Sequence, residues 1–232
     1  ETVGICYSQD NTDTASSVGH VLQGLFATTS GSVLIDSNSI ETFNLQHLRS
    51  NVSLVDTTNH FFEGSIRDNF QRVLPNANND RISWACSLAG LDASMKNLSI
   101  SLDTQINDLK KIWNADFQIK LGLARALIRN PKILILDDIL SQMDTDSILS
   151  FQDTFDSISK SRTVVLISRE LHHLRMCKKI MFFSGPSLSQ FGPTLNVLDQ
   201  PGPAQDLMKK QLRIISPKFE KNYETLVKSI VS

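Results

Sequence analysis

Apolar residues recur along this chain with two alternating periods. Residues 2–7 (TVGICY) form an apolar run of strand length, and residues 16–26 then place Val18, Val21, Leu22 and Leu25 on one helical face. A turn over 28–31 precedes a short strand over 32–36, a helix over 40–49 and a strand over 52–55. Helices are predicted over 63–72, 81–91 and 116–129. The last ends before Asn130-Pro131, because the residue preceding a proline is driven out of the helical region. The run 132–137 (KILILD) reads as a buried strand, 145–159 as an amphipathic helix, 163–168 (TVVLIS) as a second buried strand and 169–176 as a short helix. Segments 180–183 and 187–191 pair as a hairpin around Gly185-Pro186. Beyond Pro201-Gly202-Pro203 the pattern predicts two amphipathic helices, 204–214 and 219–231. Leu207, Leu212, Ile214 and Ile215 line the first stripe, and Phe219, Leu226, Ile230 and Val231 the second. Near-continuous apolar strands flanking helices predict an α/β fold with a parallel sheet covered on both faces.

The composition narrows this picture. With 41% hydrophobic residues in a chain of 232, there is enough apolar material for a large core, and disorder is excluded. A net charge of −1 provides no basic footprint for nucleic acid, so none is expected as a partner. Cys6, Cys86 and Cys177 lie far apart, in neither a zinc-binding pattern nor a disulfide framework, which fits a reducing compartment. The densest apolar run, ILIL at 133–136, is strand-sized, well short of the roughly 18–20 residues that cross a bilayer. No signal-peptide pattern opens the chain. Its abrupt start in a strand-like segment leads to the expectation of a piece cut from a longer polypeptide.

The strand at 132–137 ends in two carboxylates, Asp137 and Asp138. Open α/β sheets bind ligands at the carboxyl edge of their parallel strands. In a phosphate-handling site the first carboxylate would hold Mg²⁺ through water and the second would polarise an attacking water. Alternatively, the pair merely ends a strand and caps the next segment.

The surrounding segments favour the first reading. LGLARAL, RNPKILILDD and SQMD, within residues 121–144, resemble in order and spacing the helix, Walker B strand and D-loop of an ABC-transporter nucleotide-binding (ATPase) domain. TSGSVLID (29–36), LRSNVSLV and FFEGSIRDNF (61–70), ACSLAGLDASMKNLSISLDT (85–104) and TVVLIS resemble other parts of that domain. These are the strand after its first helix, the surroundings of its Q-loop, its helical subdomain and the strand leading to its H-loop. The resemblance covers about residues 1–199 and looks closest to exporter-type domains, including those of type I secretion and peptide export. It implies a P-loop NTPase-like fold, mostly parallel, with a helical subdomain at about 63–118 and N-terminal strands missing or truncated. Residues 1–200 would form the ATPase-like domain and 201–232 a C-terminal helical extension.

Set against that family, the polar positions are largely replaced. Its phosphate loop is glycine-rich and closes with Gly-Lys-Ser/Thr, so that backbone N–H groups and a lysine surround the phosphates. Here the stretch reads CYSQDNTDTASS, without a glycine or a lysine between Ile5 and Val18. The lysine position falls on Ala15 counting back from Gly31, or on Asp13 counting forward from Glu1. Asp10 and Asp13 add negative charge where phosphate would sit; one like-charged pair at ~4 Å costs about 4 kcal/mol in an effective dielectric of ~20. Ser16 or Ser17 would offer a hydroxyl toward Mg²⁺, or cap the helix that starts there. The signature Leu-Ser-Gly-Gly-Gln maps to Trp113-Asn114-Ala115-Asp116-Phe117, where Asp116 makes sense as a helix N-cap. The Q-loop glutamine position holds Thr57, the H-loop histidine position Arg169 and the catalytic glutamate position Asp138, one methylene shorter. His172 and His173 lie a turn beyond Arg169 and are expected to point elsewhere. The loop after Thr104 (QINDLKK) lacks the glycines with which exporters touch their membrane domain.

Asp137, Asp144 and Arg125 match the family. Asp137 is the candidate Mg²⁺ ligand, Arg125 reads as helix packing, and Asp144, with Trp113, Asn114 and Asp116, is a candidate interface residue. The implied function is a degenerate, non-hydrolysing domain of an exporter at the cytoplasmic face of a membrane, since the residues that would hold and cleave ATP are mostly replaced. It would be paired with an identical or different nucleotide-binding domain and joined to a transmembrane domain. The implied cofactor, Mg-ATP, would bind weakly or not at all. The rival readings are a weak ATPase using Asp137, Asp138 and a serine of Ser16-Ser17, and a protein-docking module built on the C-terminal helices.

Overall fold

The computed structural model describes residues 1–7, 12–58 and 60–215, without the side chains of 12–15 and 213–215. The helix expected over 219–231 and the phosphate-loop stretch 8–11 lie outside the described residues.

The chain opens with strand β1 (Thr2–Tyr7) and helix α1 (Thr12–Leu22), followed by a two-stranded ribbon, β2 (Leu34–Ile35) and β3 (Asn38–Ser39). A 3₁₀ turn over Ile40–Thr42 precedes α2 (Leu45–Asn51) and β4 (Val52–Val55). Four helices come next: α3 (Ile66–Val73), α4 (Asn79–Leu88), α5 (Asp92–Asn97) and the single turn α6 (Ile106–Leu109). Then α7 (Ala115–Leu127) leads into β5 (Ile133–Asp137), a 3₁₀ turn over Ile139–Gln142 and α8 (Thr145–Ser159). After β6 (Thr163–Ser168) and a 3₁₀ segment over Leu171–Met176, the hairpin β7 (Lys179–Ser184) and β8 (Ser187–Pro193) is followed by α9 (Thr194–Asp199) and α10 (Pro203–Ile215).

The main sheet has the order β4-β5-β6-β1-β7-β8, parallel throughout except for the antiparallel edge strand β8. Its residues alternate between two cores with the period of a pleated strand. Leu134 and Leu136 of β5, Val164 and Leu166 of β6 and Cys6 of β1 enter the larger cluster, with α3, α4, α7 and α8. Ile135, Val165, Ile167, Ile5 and Tyr7 enter the smaller one, with α2 and residues of α1. Gly19 lets α1 lie tight on this second face: a Cβ there would meet Leu54 Cδ1 at 3.3 Å and Ile135 Cγ2 at 3.5 Å. Among the described residues no helix is long and apolar enough to cross a membrane.

Helix ends are set by side-chain caps that satisfy otherwise orphaned N–H groups. Ser65 and Asp68 form a capping box on α3, and Asn78, Asn114 and Asp144 cap α4, α7 and α8. Asn130, at φ 53°, turns the chain out of α7 before Pro131. Several expected elements come out differently, among them the segment 169–176, which is a 3₁₀ helix over Leu171–Met176 only. The helix expected over 40–49 is interrupted at Asn44, which is extended and caps α2 through Gln46 N and His47 N, so only the second half is α-helical. Helix α1 starts earlier than expected and stops at Leu22, leaving Leu25 half exposed rather than on the apolar face.

Helix α10 packs on the body of the domain: Ala204, Met208 and Leu212 are buried within the larger core. Gln190 Oε1 accepts from Ala204 N at 2.9 Å, tying its start to β8. Phe151 and Phe155 of α8 are fully buried with ring centroids 6.5 Å apart. Phe155→Ala is expected to cost about 3–5 kcal/mol of stability, as for other buried aromatic truncations, read as a lower urea midpoint with an unchanged slope.

Candidate functional site

Because β4, β5, β6 and β1 run parallel, their carboxyl ends gather at one edge. Val55, Asp137, Ser168 and Tyr7 end these strands, and Asp56, Asp138 and Arg169 are the next residues out. Asp137 is buried there, and desolvation raises its carboxyl above the ordinary range, with Asp138 and Asp56 adding to the rise. A side-chain hydrogen bond from Ser16 opposes it. The Oδ1 of Asp137 is buried without a hydrogen-bond partner. Ser16 comes from the second turn of α1, which already begins at Thr12. Neither Ser16 nor Ser17 therefore caps this helix: the chain is helical before it reaches them. Ser16 instead meets the first carboxylate of β5.

Asp138 turns the chain off the sheet with φ 51°, a left-handed conformation that aspartate tolerates better than most residues. Its N–H donates to Ile167 O at 2.9 Å, and its carbonyl accepts from Ser141 N and Ser141 Oγ. Its side chain is thereby presented to β6, where Arg169 Nη2 meets Asp138 Oδ2 at 3.1 Å. The arginine side chain is 45% exposed and the aspartate 16%. Solvent screens such a pair, and its net worth is of order 1 kcal/mol or less. The residue in the catalytic-glutamate position is thus paired with the residue in the H-loop position. Arg169 is held from behind as well: its carbonyl accepts from Gln211 Nε2 of α10 at 2.8 Å and lies 3.8 Å from Cys6 Sγ. Burial pushes both Cys6 and Tyr7 up to about 12, so neither is an ionised nucleophile here.

His173 is buried, with Nδ1 3.0 Å from Ser168 Oγ. Burial, reinforced by His172 and Arg175, lowers it to about 3, so it stays neutral. The hydrogen bond in the H-loop region that reaches Asp138 comes from Arg169, not from either histidine.

The signature-position residues are brought together at the start of α7. Asn114, not Asp116, is the N-cap: Asn114 Oδ1 accepts from Phe117 N at 2.9 Å. Asp116 sits inside the first turn, too late to cap, and instead pairs with Lys120 at 2.9 Å, its Oδ1 left buried and unpartnered. Trp113 is half-buried in an aromatic row, 5.5 Å from Phe61 and 6.5 Å from Phe117 between ring centroids. Asp144 is exposed; accepting from Ser147 N at 2.8 Å holds its carboxyl below the usual range, with a smaller contribution from Lys120. Arg125 donates to His60 O at 2.6 Å and stacks on Phe61 at 4.6 Å, which makes it a brace between α7 and the segment before α3. Thr57 is half-buried in the turn after β4.

An unpartnered buried carboxylate oxygen beside a serine hydroxyl fits a cation near Asp137. The same residues do not fit a triphosphate. No lysine, arginine or glycine lies between Ile5 and Val18 to receive it, and the nearby Arg169 is already engaged by Asp138.

A P-loop NTPase-like nucleotide-binding domain is the class that this sheet order, helical insertion and carboxylate-bearing edge define. The sequence profile described as "ABC transporter" matches residues 15–141. The chain is 35% identical over 162 residues to "Multidrug resistance protein homolog 65" of Drosophila melanogaster, a match covering 70% of this chain and 12% of that protein. It is 28% identical over 191 residues to "P-glycoprotein 14" of Caenorhabditis elegans, covering 82% of this chain and 14% of that one. The "Structure of a bacterial Atm1-family ABC exporter with ATP bound" has the same fold, with a TM-score of 0.81 at 22% identity over 90% of this chain and 37% of that one. The chain belongs to the ABC transporter family and corresponds to its nucleotide-binding domain, spanning about one seventh of the length of these curated relatives.

Two outcomes are expected. A raised folded-state value for Asp137 means that stability is lost as pH rises through the unfolded and then the folded value. Asp137→Asn removes that loss and is expected to raise the melting temperature at pH 7 in metal-free buffer. Asn114→Ala is expected to cost about 1 kcal/mol by chemical denaturation through loss of the α7 cap.

Proposed function

We propose that this chain is a degenerate, non-hydrolysing nucleotide-binding domain of an ABC exporter. It acts as a structural or dimerisation partner at the cytoplasmic face of a membrane, joined to a transmembrane domain. The observation that carries this reading is the Arg169–Asp138 ion pair. A carboxylate that must polarise an attacking water needs a free oxygen facing the phosphate. Here Oδ2 is paired with a guanidinium, which leaves Oδ1, buried and without a hydrogen-bond partner, as the remaining oxygen. The phosphate loop, stripped of glycine and lysine, and the aromatic and anionic residues in the signature positions support the same conclusion. Each composite ATP site in the family takes its phosphate loop from one subunit and its signature from the other. A domain with neither completes no site, in a homodimer or a mixed pair.

The packing supports a retained scaffold role: Asp116 pairs with Lys120 at 2.9 Å and Asp144 stays exposed, on the side that the family resemblance assigns to pairing. A second reading, residual Mg²⁺-dependent nucleotide binding, is favoured by the Ser16–Asp137 hydrogen bond and the unpartnered Asp137 oxygen. The chain incubated with Mg-ATP is expected to release no phosphate and to give no saturable titration with a non-hydrolysable analogue. Turnover abolished by Asp138→Asn would overturn the reading. Micromolar, magnesium-dependent analogue binding lost in Asp137→Asn would replace it with the second.

A further inference from the structure

The 3₁₀ segment after β6 assembles a side-chain cluster that the nucleotide edge does not use. Glu170 is the extended residue before this segment, and its carbonyl accepts from His173 N at 3.1 Å, which sets the two residues side by side. His172 lies against His173, with ring centroids 4.2 Å apart and planes tilted by 58°. Both imidazoles turn Nε2 toward the same carboxylate oxygen: Glu170 Oε2 is 3.4 Å from His172 Nε2 and 4.0 Å from His173 Nε2. One ligand atom from each of the three residues lies within 4.8 Å of the others.

We propose that Glu170, His172 and His173 form a site for a divalent transition metal of the Zn²⁺ class. Ligands about 2.1 Å from a tetrahedral ion stand about 3.4 Å from one another, so a small closing rotation of these side chains places all three in range. Two nitrogens and one carboxylate oxygen suit Zn²⁺ and Co²⁺, not Mg²⁺ or Ca²⁺, which take oxygen ligands. Ser168 Oγ, 3.0 Å from His173 Nδ1, holds that ring so that Nε2 points at the carboxylate, the role outer partners play in metal sites. The fourth position opens on a cavity of about 560 Å³ whose walls include Met143, Asp144 and Leu212. Arg175 lines the same cavity and opposes a cation; the Glu170 carboxylate offsets it.

The test is calorimetric titration of the metal-free 232-residue chain with Zn²⁺, together with Co²⁺ titration followed by its visible d–d bands. One saturable Zn²⁺ per chain is expected, with a rise in melting temperature and a tetrahedral-type Co²⁺ spectrum. Glu170→Gln and His172→Asn change partly exposed side chains and should leave the metal-free melting temperature unchanged. Each should weaken Zn²⁺ binding by more than about tenfold and remove the Co²⁺ bands. The absence of saturable Zn²⁺ binding, or binding of undiminished affinity in both variants, overturns the proposal.

Discussion

The structure is organised around the burial of a carboxylate at the end of a parallel strand. Asp137 closes β5, the strand between β4 and β6, and the two cores cover opposite faces of the sheet that carries it. Parallel strands must be covered on both faces, so the chain after Asp137 has one way out, over the carboxyl edge. Asp138 makes that exit with a left-handed backbone, and the turn it sets delivers Asp144 to the start of α8. The positions of Ser16, Tyr7, Ser168 and Arg169 depend on the same sheet order, since each lies on or beside a neighbouring strand end.

On the proposed reading, packing and chemistry have separated in this domain. The apolar positions of β5, β6 and α7 remain largely buried, whereas most polar positions of the family, Asp137, Asp144 and Arg125 excepted, carry different residues. The replacements are not idle in the structure. Arg169 and Asp138 pair with each other, Asp116 pairs with Lys120, and Trp113 fills an aromatic row with Phe61 and Phe117. On the proposed reading, each gives a position that the family uses for nucleotide a partner within its own domain. On the proposed reading this is how a domain loses turnover and keeps its shape, because the interactions that hold the scaffold do not pass through the site.

Helix α10 joins the core to the carboxyl edge. Its apolar face completes the larger core, and Gln211 reaches both the carbonyl of Arg169 and the amide of Leu171. The segment carrying Arg169, Glu170, His172 and His173 is therefore clamped between β6 and a helix some forty residues later in sequence. A rigid backbone there is what allows both the ion pair with Asp138 and the convergence of two imidazoles on one carboxylate.

Periodicity alone located the sheet and the long helices, because the strands at 2–7, 52–55, 132–137 and 163–168 and the helix at 145–159 are local patterns with one dominant period. The missing lysine and glycines are equally local, being absences from a short stretch. What lay beyond reach was partnership. That Asn114 rather than Asp116 caps α7, and that α1 begins before Ser16, depends on where tertiary packing starts each helix; residue preference alone leaves several starts nearly equal. The pairing of Arg169 with Asp138 and the approach of Gln211 join residues far apart in the chain, and no spacing rule relates them. The sequence by itself determined which residues are apolar, which strands are buried and that no lysine or glycine stands between Ile5 and Val18. Only the tertiary structure decided which polar groups meet, because burial and sheet order fix those distances and the order of residues along the chain does not.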